Sequence, residues 1–173
     1  MSSIEALFGS RTAEILAAAV TPVLAAEVRA RCERTGYTRY GLLDRGSYEV
    51  IADPDEPELL AALANLAGER IDRTLELTGA RVLRLQPGDY LLAHHDQIHV
   101  DLPIEVVLDL SPAIVPGAEV HYRRRGQVFF RVPSTPCSLA IVERGPTVSC
   151  NHTYVSKLHA GASVVRLIAL FRG

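Results

Sequence analysis

The sequence lacks tryptophan, has a single methionine and contains three cysteines among its 173 residues. Because the cysteines are odd in number and widely spaced, we expect neither a disulfide framework nor a thiolate zinc site. The net charge of −2 leaves no large excess of one sign, which argues against nucleic acid or an anionic membrane surface as a partner. Long apolar runs are also missing, since no window reaches the roughly 18 residues of a membrane span. We therefore expect a cytoplasmic protein with no membrane partner.

Hydrophobic residues make up 48% of the chain and charged residues 22%, a composition that suits one globular core. We predict a single domain over residues 1–173. Helical patterns precede strand patterns along the chain, an order typical of a mainly β, α+β architecture. Residues 1–79 are predicted to form an N-terminal helical support, and residues 80–173 the β core.

Helix signals are clear at two places in the N-terminal part. Thr21-Pro22 has the pattern of an N-cap followed by proline at the first helical position, with apolar residues at helical spacing after it. A second helix is predicted to begin in the acidic stretch 53–57 and to end at Gly79. Residues 12–20 are predicted to form a separate short helix. Residues 37–51 stay open, with an outer hairpin as one alternative.

The β core is predicted from apolar and β-branched runs that proline and glycine separate at short intervals. The pattern gives eight strands, the number in a double-sheet jelly-roll barrel. The predicted strands are residues 81–86, 90–96, 104–111, 118–124, 126–132, 137–144, 148–155 and 162–171.

The end of the second predicted strand, YLLAHHD, carries two candidate metal ligands. Residues i and i+2 of a strand face the same side, so His94 and Asp96 are presented together while His95 points away. A second His-x-Asp pair, His99 and Asp101, follows shortly after. The proline two residues beyond that pair predicts a loop, so we favour the first pair.

A third candidate ligand, His152, lies on the seventh predicted strand. A jelly roll can fold that strand back beside the second one. Two histidines and one carboxylate on one face, with the other positions open, form the facial triad of iron(II) oxygenases. His94, Asp96 and His152 are therefore the candidate metal ligands and catalytic residues. A His-x-Asp sequence alone would fit a polar strand end equally well.

Arg166 stands in the middle of the apolar sequence SVVRLIALF, which is typical of a strand buried on both faces. A buried guanidinium keeps its charge, and leaving it unpaired costs several kcal/mol, so it requires a carboxylate partner. That partner is either a bound acid or an internal residue such as Asp109. The residues by themselves do not favour one over the other.

From Val82 to the C-terminus the chain resembles the 2-oxoglutarate/iron(II) dioxygenase superfamily, in its prolyl-hydroxylase-like branch. The resemblance is carried by LRLQPGDYLLAHHD, IEVVLDLS, PSTPCSLAIVERG and NHTYVSKLHAGASVVRLIALF. In that family a Pro-Gly turn leads into the His-x-Asp strand. A distal histidine is then followed by a valine, a glycine and a basic residue, which correspond here to Val155, Gly161 and Arg166 after His152.

The resemblance implies a double-stranded β-helix with iron(II) bound by His94, Asp96 and His152. It also implies that Arg166 binds the distal carboxylate of 2-oxoglutarate. Two departures from the family pattern are present. The spacing from His152 to Arg166 is long, which leaves His159 as a rival third ligand, and an alanine replaces the second glycine of a frequent Gly-Gly element.

Other polar residues are weaker candidates for the same site. Arg84 and Gln86 lie on the first predicted barrel strand and are expected to reach 2-oxoglutarate. Tyr90 and either His121 or Tyr122 are candidates for the substrate pocket. Each of these residues fits packing or a surface position at least as well.

The expected function is that of an oxygenase using iron(II), 2-oxoglutarate and O2. The family resemblance implies hydroxylation of the substrate with conversion of 2-oxoglutarate to succinate and CO2. The small chain favours a small-molecule substrate, such as an amino acid or an intermediate of specialised metabolism, over a peptidyl residue. The alternatives are a cupin-like isomerase, lyase or keto-acid-independent dioxygenase, and a binding module whose histidines are structural.

Overall fold

Eleven strands and two helices follow one another in the part of the chain that the structure, a computed structural model, describes: residues 13–93, 103–145 and 147–173. The helices are α1 (Pro22–Thr35) and α2 (Pro57–Ile71). The strands are β1 (Ala13–Leu16), β2 (Thr38–Leu42), β3 (Gly46–Ala52), β4 (Glu76–Leu85), β5 (Tyr90–Leu91), β6 (Ile104–Asp109), β7 (Val120–Arg124), β8 (Gln127–Val132), β9 (Leu139–Glu143), β10 (Val148–His152) and β11 (Val164–Arg172).

The strands pair antiparallel in the order β1-β9-β6-β11-β4-β3-β5-β10-β7-β8, and β2 pairs with β3. One half of this sheet, β9-β6-β11-β4, contributes Leu83, Val107 and Ile168 to a buried cluster. The other half, β5-β10-β7-β8, contributes Leu91 and Tyr122 to the same cluster. Because side chains from both halves meet, the halves face each other around a filled interior, as in a double-stranded β-helix.

The outer face of the first half packs against the helices. Val82, Leu108 and Leu167 on that face share a second buried cluster with Val28 of α1 and Leu63 of α2. β4, β6 and β11 are therefore covered on both faces, which agrees with the unbroken apolar sequence of β11. This arrangement separates each of these strands into residues that face the barrel interior and residues that face the helices.

Seven of the eight predicted core strands are confirmed, with ends that differ by a few residues. The eighth, 90–96, is a strand at Tyr90–Leu91, and its residues 94–96 lie outside the described residues. The predicted capping of α1 is also confirmed, since the Thr21 Oγ1 accepts a hydrogen bond from the Leu24 amide at 3.1 Å. The open stretch 37–51 contains the β2–β3 hairpin. Neither helix of the described ranges is long and apolar enough to cross a membrane.

Two boundary predictions are wrong. The helix predicted for 12–20 is not found in its described part, residues 13–20. Ala13–Leu16 pairs with β9, whose edge offers unpaired backbone groups, and that tertiary pairing overrides the helical propensity of an alanine-rich stretch. α2 ends before Asp72 instead of at Gly79. Asp72 adopts a left-handed conformation with φ 55°, which ends the helix.

The buried face between sheet and helices predicts the effect of removing one of its side chains. Leu167 is fully buried there, so Leu167→Ala should lower the free energy of unfolding by about 2–5 kcal/mol through lost burial and a residual cavity. Urea denaturation measures this change. Val23→Ala, at a position that is 68% exposed on α1, is the matched control and should change stability by less than about 0.5 kcal/mol. A similarly small loss for Leu167→Ala would contradict the packing.

Candidate functional site

Arg166 points into the barrel interior. On β11 it lies directly opposite Leu83 of β4 and Asp109 of β6, and directly opposed residues of neighbouring strands share a face. Leu83 belongs to the interior cluster, so Arg166 and Asp109 face the interior as well. The Arg166 side chain is 1% exposed.

His152 reaches the same place from the other half of the sheet. It ends β10, lies opposite Leu91 of β5 and Val120 of β7, and is 1% exposed. Its Nδ1 lies 3.1 Å from Nη1 of Arg166. Arginine can only donate, so Nδ1 accepts this hydrogen bond. The structure therefore joins His152 and Arg166, although neither their spacing nor their residue types alone required it.

The guanidinium of Arg166 makes one other hydrogen bond to a described residue, from Nη2 to the carbonyl oxygen of Ala118 at 2.8 Å. Its Nε is buried without a hydrogen-bond partner among the described residues. Burial lowers the pKa of Arg166, against the opposing effect of nearby Asp109. Among the described residues the charged guanidinium is thus short of compensating negative charge, which is the condition that an added carboxylate would relieve.

Asp109 does not form an ion pair with Arg166. Its Oδ1 accepts from the Ser111 amide and its Oδ2 from the Thr135 amide, both at 2.8 Å. Both carboxylate oxygens are thus engaged by backbone groups of neighbouring loops. Within the described ranges Arg166 has no carboxylate at ion-pair distance. Asp109, the internal partner considered from the sequence, is therefore not its ion-pair partner.

A second charged group in the barrel interior, Glu105, has by contrast both a hydrogen-bond donor and a cationic partner. Glu105 accepts from the Tyr122 hydroxyl at 2.6 Å and from Nη1 of Arg144 at 2.8 Å. Burial, followed by the charge of Glu105, raises the pKa of Tyr122 well above its ordinary value, so the phenol stays a neutral donor. Glu105 lies four residues before Asp109 on β6. This network therefore fills the barrel interior away from Arg166.

The other two predicted metal ligands, His94 and Asp96, lie outside the described residues, as do His99 and Asp101. The described part of this segment ends just after β5. Leu91 at the end of β5 is the cross-strand neighbour of His152. Among residues 13–93, 103–145 and 147–173 there is no group of three His, Cys, Asp or Glu side chains that could hold a metal.

His159 occupies a different environment from His152. It is only half-buried and lies in a turn, where its amide donates to Ser156 and its carbonyl accepts from Ala162. The turn lengthens the connection between β10 and β11 without bringing His159 onto either strand. The long spacing between His152 and Arg166 is thus taken up by a turn in the connection from β10 to β11, which lie on opposite halves of the sheet.

Arg84 and Gln86 do not meet Arg166. Arg84 lies opposite Val165, which belongs to the cluster that faces the helices. Its side chain bonds Glu49 and Glu33 at 2.5 Å each, and the Gln86 amide bonds the same Glu49 at 3.2 Å. The expectation that these two side chains reach 2-oxoglutarate is corrected by the sheet: they point to its helix side, one face away from the interior.

The residues predicted to line the substrate pocket also differ in the face of the sheet to which they point. Tyr122 is on the interior face with His152, whereas His121 lies one residue away on β7 and bonds Glu119 at 2.6 Å. Tyr90 precedes the inward-facing Leu91 and its ring lies 6.4 Å from that of Tyr154.

Sequence reasoning missed the Ala118 carbonyl as a partner of Arg166, because a backbone acceptor leaves no side-chain signal.

No protein-family model matches the sequence, and no curated protein matches it. Solved structures do resemble the fold. A Pseudomonas putida prolyl-4-hydroxylase has a TM-score of 0.70 at 17% identity, covering 94% of this chain and 93% of its own. A 2OG-Fe(II) oxygenase family oxidoreductase from Burkholderia pseudomallei has a TM-score of 0.73 at 12% identity, covering 98% and 88%.

A third similar structure is the non-heme alpha ketoglutarate dependent carbocyclase SnoK from nogalamycin biosynthesis. It has a TM-score of 0.72 at 12% identity and covers 99% of this chain and 84% of its own. At these identities the likeness is one of fold. The chain has the double-stranded β-helix fold of the 2-oxoglutarate/iron(II) oxygenases, in its prolyl-hydroxylase-like form.

Proposed function

We propose that this protein is an oxygenase that uses iron(II), 2-oxoglutarate and O2, with the metal bound by His94, Asp96 and His152. The observation that carries the proposal is the Arg166 guanidinium. It is buried in the barrel and lacks a carboxylate partner among the described residues. Its Nη1 lies 3.1 Å from Nδ1 of His152. A metal-binding barrel that takes no diacid has no need of such a group.

The residues present suit both groups. Two imidazoles and one carboxylate are the ligand set of non-heme iron(II) oxygenases. The described ligand, His152, is held on a strand beside β5, which leads towards His94 and Asp96. The planar guanidinium of Arg166 can bind a carboxylate through two parallel N–H groups, and a bound carboxylate would compensate its charge.

Bound iron(II) and 2-oxoglutarate would supply an oxidising chemistry with O2, in which the keto acid is converted to succinate and CO2 and the substrate is hydroxylated. Arg166 would fix the far end of the keto acid and so orient its other end towards the metal. A buried apolar cluster in the barrel contains Leu85, Val155 and Val164, each at most 1% exposed. Such apolar side chains exclude water from the reaction.

The primary substrate is proposed to be a small molecule, such as an amino acid or a specialised-metabolite intermediate. The similar structures include a prolyl-4-hydroxylase and a carbocyclase, so the fold accommodates both peptidyl and small-molecule chemistry. Chain length does not separate the two, because this chain and the similar prolyl-4-hydroxylase cover 94% and 93% of each other. Hydroxylation of a peptidyl residue is the alternative, and comparing a free compound with the same group in a peptide distinguishes the two.

The role of Arg166 predicts a loss of keto-acid affinity on its removal. Arg166→Gln should weaken 2-oxoglutarate binding to the iron(II)-loaded protein about 10- to 150-fold, the effect of losing a charge-assisted hydrogen bond of about 1.5–3 kcal/mol. Anaerobic calorimetric titration measures this affinity. Arg84→Gln is the matched control, because Arg84 points to the helix side of the same sheet, and it should bind 2-oxoglutarate like the wild type.

Two outcomes of that titration would contradict the proposal. Unchanged affinity in Arg166→Gln would remove Arg166 from the site. Loss of affinity in Arg84→Gln with none in Arg166→Gln would reverse the assigned faces of the sheet. Thermal unfolding of both variants shows whether each protein is folded at the titration temperature.

The environments of the two distal histidines predict which one binds iron. His152→Ala should abolish high-affinity iron(II) binding, because it removes a buried ligand from β10. His159→Ala should retain wild-type affinity, because His159 lies in a half-buried turn. Anaerobic equilibrium dialysis with iron(II) measures both. Retained binding in the first variant together with lost binding in the second would move the ligand to His159.

A further inference from the structure

The turn between β4 and β5 contains a buried carboxylate, Asp89, that is 2% exposed. The Asp89 amide donates to the Gln86 carbonyl at 2.8 Å, and its Oδ2 accepts from the Gln86 amide at 2.9 Å. Gly88 within the turn has φ 98°, a conformation that glycine adopts without strain. Asp89 therefore closes the turn from which the chain enters β5.

Arg39 holds this carboxylate from outside the barrel. Its Nη1 and Nη2 donate to the two oxygens of Asp89 at 2.7 and 2.5 Å, and the Ser47 hydroxyl donates to Oδ1 at 2.7 Å. Burial by itself would raise the pKa of Asp89, but the hydrogen bonds from Arg39, Gln86 and Ser47 outweigh it and hold the pKa below its ordinary value. Asp89 is thus a charged, bidentately bound carboxylate.

The backbone of the same turn binds the segment that follows His152. The Gly88 amide donates to the Val155 carbonyl at 2.7 Å, and the Val155 amide donates to the Asp89 carbonyl at 2.8 Å. Leu91, two residues beyond Asp89, is the cross-strand neighbour of His152. The turn is thereby linked to His152 in two ways. It leads into β5, which pairs with His152, and its backbone binds Val155, which follows His152 in the chain.

We propose that Arg39 and Asp89 are positioning residues for the metal site: their ion pair fixes the turn that sets His152 against β5. This inference rests on the proposed function, because it concerns the site at which His152 binds a metal. Neither residue is one of the proposed metal ligands. Their effect passes through the two backbone hydrogen bonds to Val155 and the pairing of Leu91 with His152.

Metal affinity tests this role separately from activity. Arg39→Gln should weaken binding of cobalt(II), an air-stable probe for the iron(II) site, by up to about 10-fold, the lower end of the effect of removing a group that supports a metal ligand directly, because Arg39 acts through the backbone of the turn. Arg39→Lys, which keeps the charge, should recover part of the loss. Cobalt(II) absorption titration gives the affinities. Hydrogen exchange at the Val155 amide should be faster in Arg39→Gln than in the wild type.

The chain offers a matched control in a second ion pair of the same design. Arg31, 40% exposed, binds Glu56 through Nε at 2.7 Å and Nη2 at 2.8 Å, and Glu56 is 7% exposed. This pair joins α1 to the start of α2. Arg31→Gln and Arg39→Gln should both lower the melting temperature, but Arg31→Gln should leave cobalt(II) affinity at the wild-type value.

The outcomes separate this inference from the function on which it rests. Wild-type cobalt(II) affinity in Arg39→Gln, or an equal loss in Arg31→Gln, would overturn the positioning role and leave the oxygenase proposal in place. Failure of the wild-type protein to bind cobalt(II) or iron(II) would overturn both. A loss confined to Arg39→Gln, with partial recovery in Arg39→Lys, supports the role as stated.

Discussion

The structure of the barrel interior depends on how the positive charge of Arg166 is accommodated. Burial removes the guanidinium from water, and the only hydrogen bonds that the described residues provide are to an imidazole nitrogen of His152 and a carbonyl oxygen of Ala118. Neither acceptor carries a negative charge. The barrel is thus organised around a cation whose electrostatic complement is not found among those residues, and a dicarboxylic keto acid has the charge and shape to supply it.

The strand order brings this cation to the candidate metal ligand. β11 lies between β4 and β6, so Arg166 is surrounded by buried strands on one half of the sheet. β10 lies between β5 and β7 on the other half, so His152 is brought beside the segment that leads to His94 and Asp96. The two halves then meet through their interior side chains. Strands from the two halves of the sheet therefore bring Arg166 and His152 into contact.

Much of the architecture could be predicted because its signals are local. Proline and glycine separate the strands of the core, and Thr21-Pro22 marks the start of α1. The face to which Arg84 points could not be predicted in this way. β4 is apolar at Val82, Leu83 and Leu85, since one face packs on the helices and the other fills the barrel, so the sequence has no alternation to identify the inner side. The face to which Arg84 points could be assigned only from the register of β4 with β11.

The candidate site was predictable to a similar extent. The burial of Arg166 could be predicted from its apolar surroundings, whereas its interior face needed the strand register. The exclusion of Asp109 as its ion-pair partner depended on the loop amides that engage Asp109. Long-range contacts of this kind leave no pattern in a single sequence. The same holds for Asp89, whose partner Arg39 lies fifty residues earlier in the chain.

The central claim is that one site binds iron(II) and 2-oxoglutarate together. Its most direct test is the visible spectrum of the wild-type protein after anaerobic addition of iron(II) and then 2-oxoglutarate. We predict a weak visible absorption band that appears only when both are present and saturates at one equivalent of each. A well-folded protein that shows no such band, or the same band with His152 replaced by alanine, would contradict it.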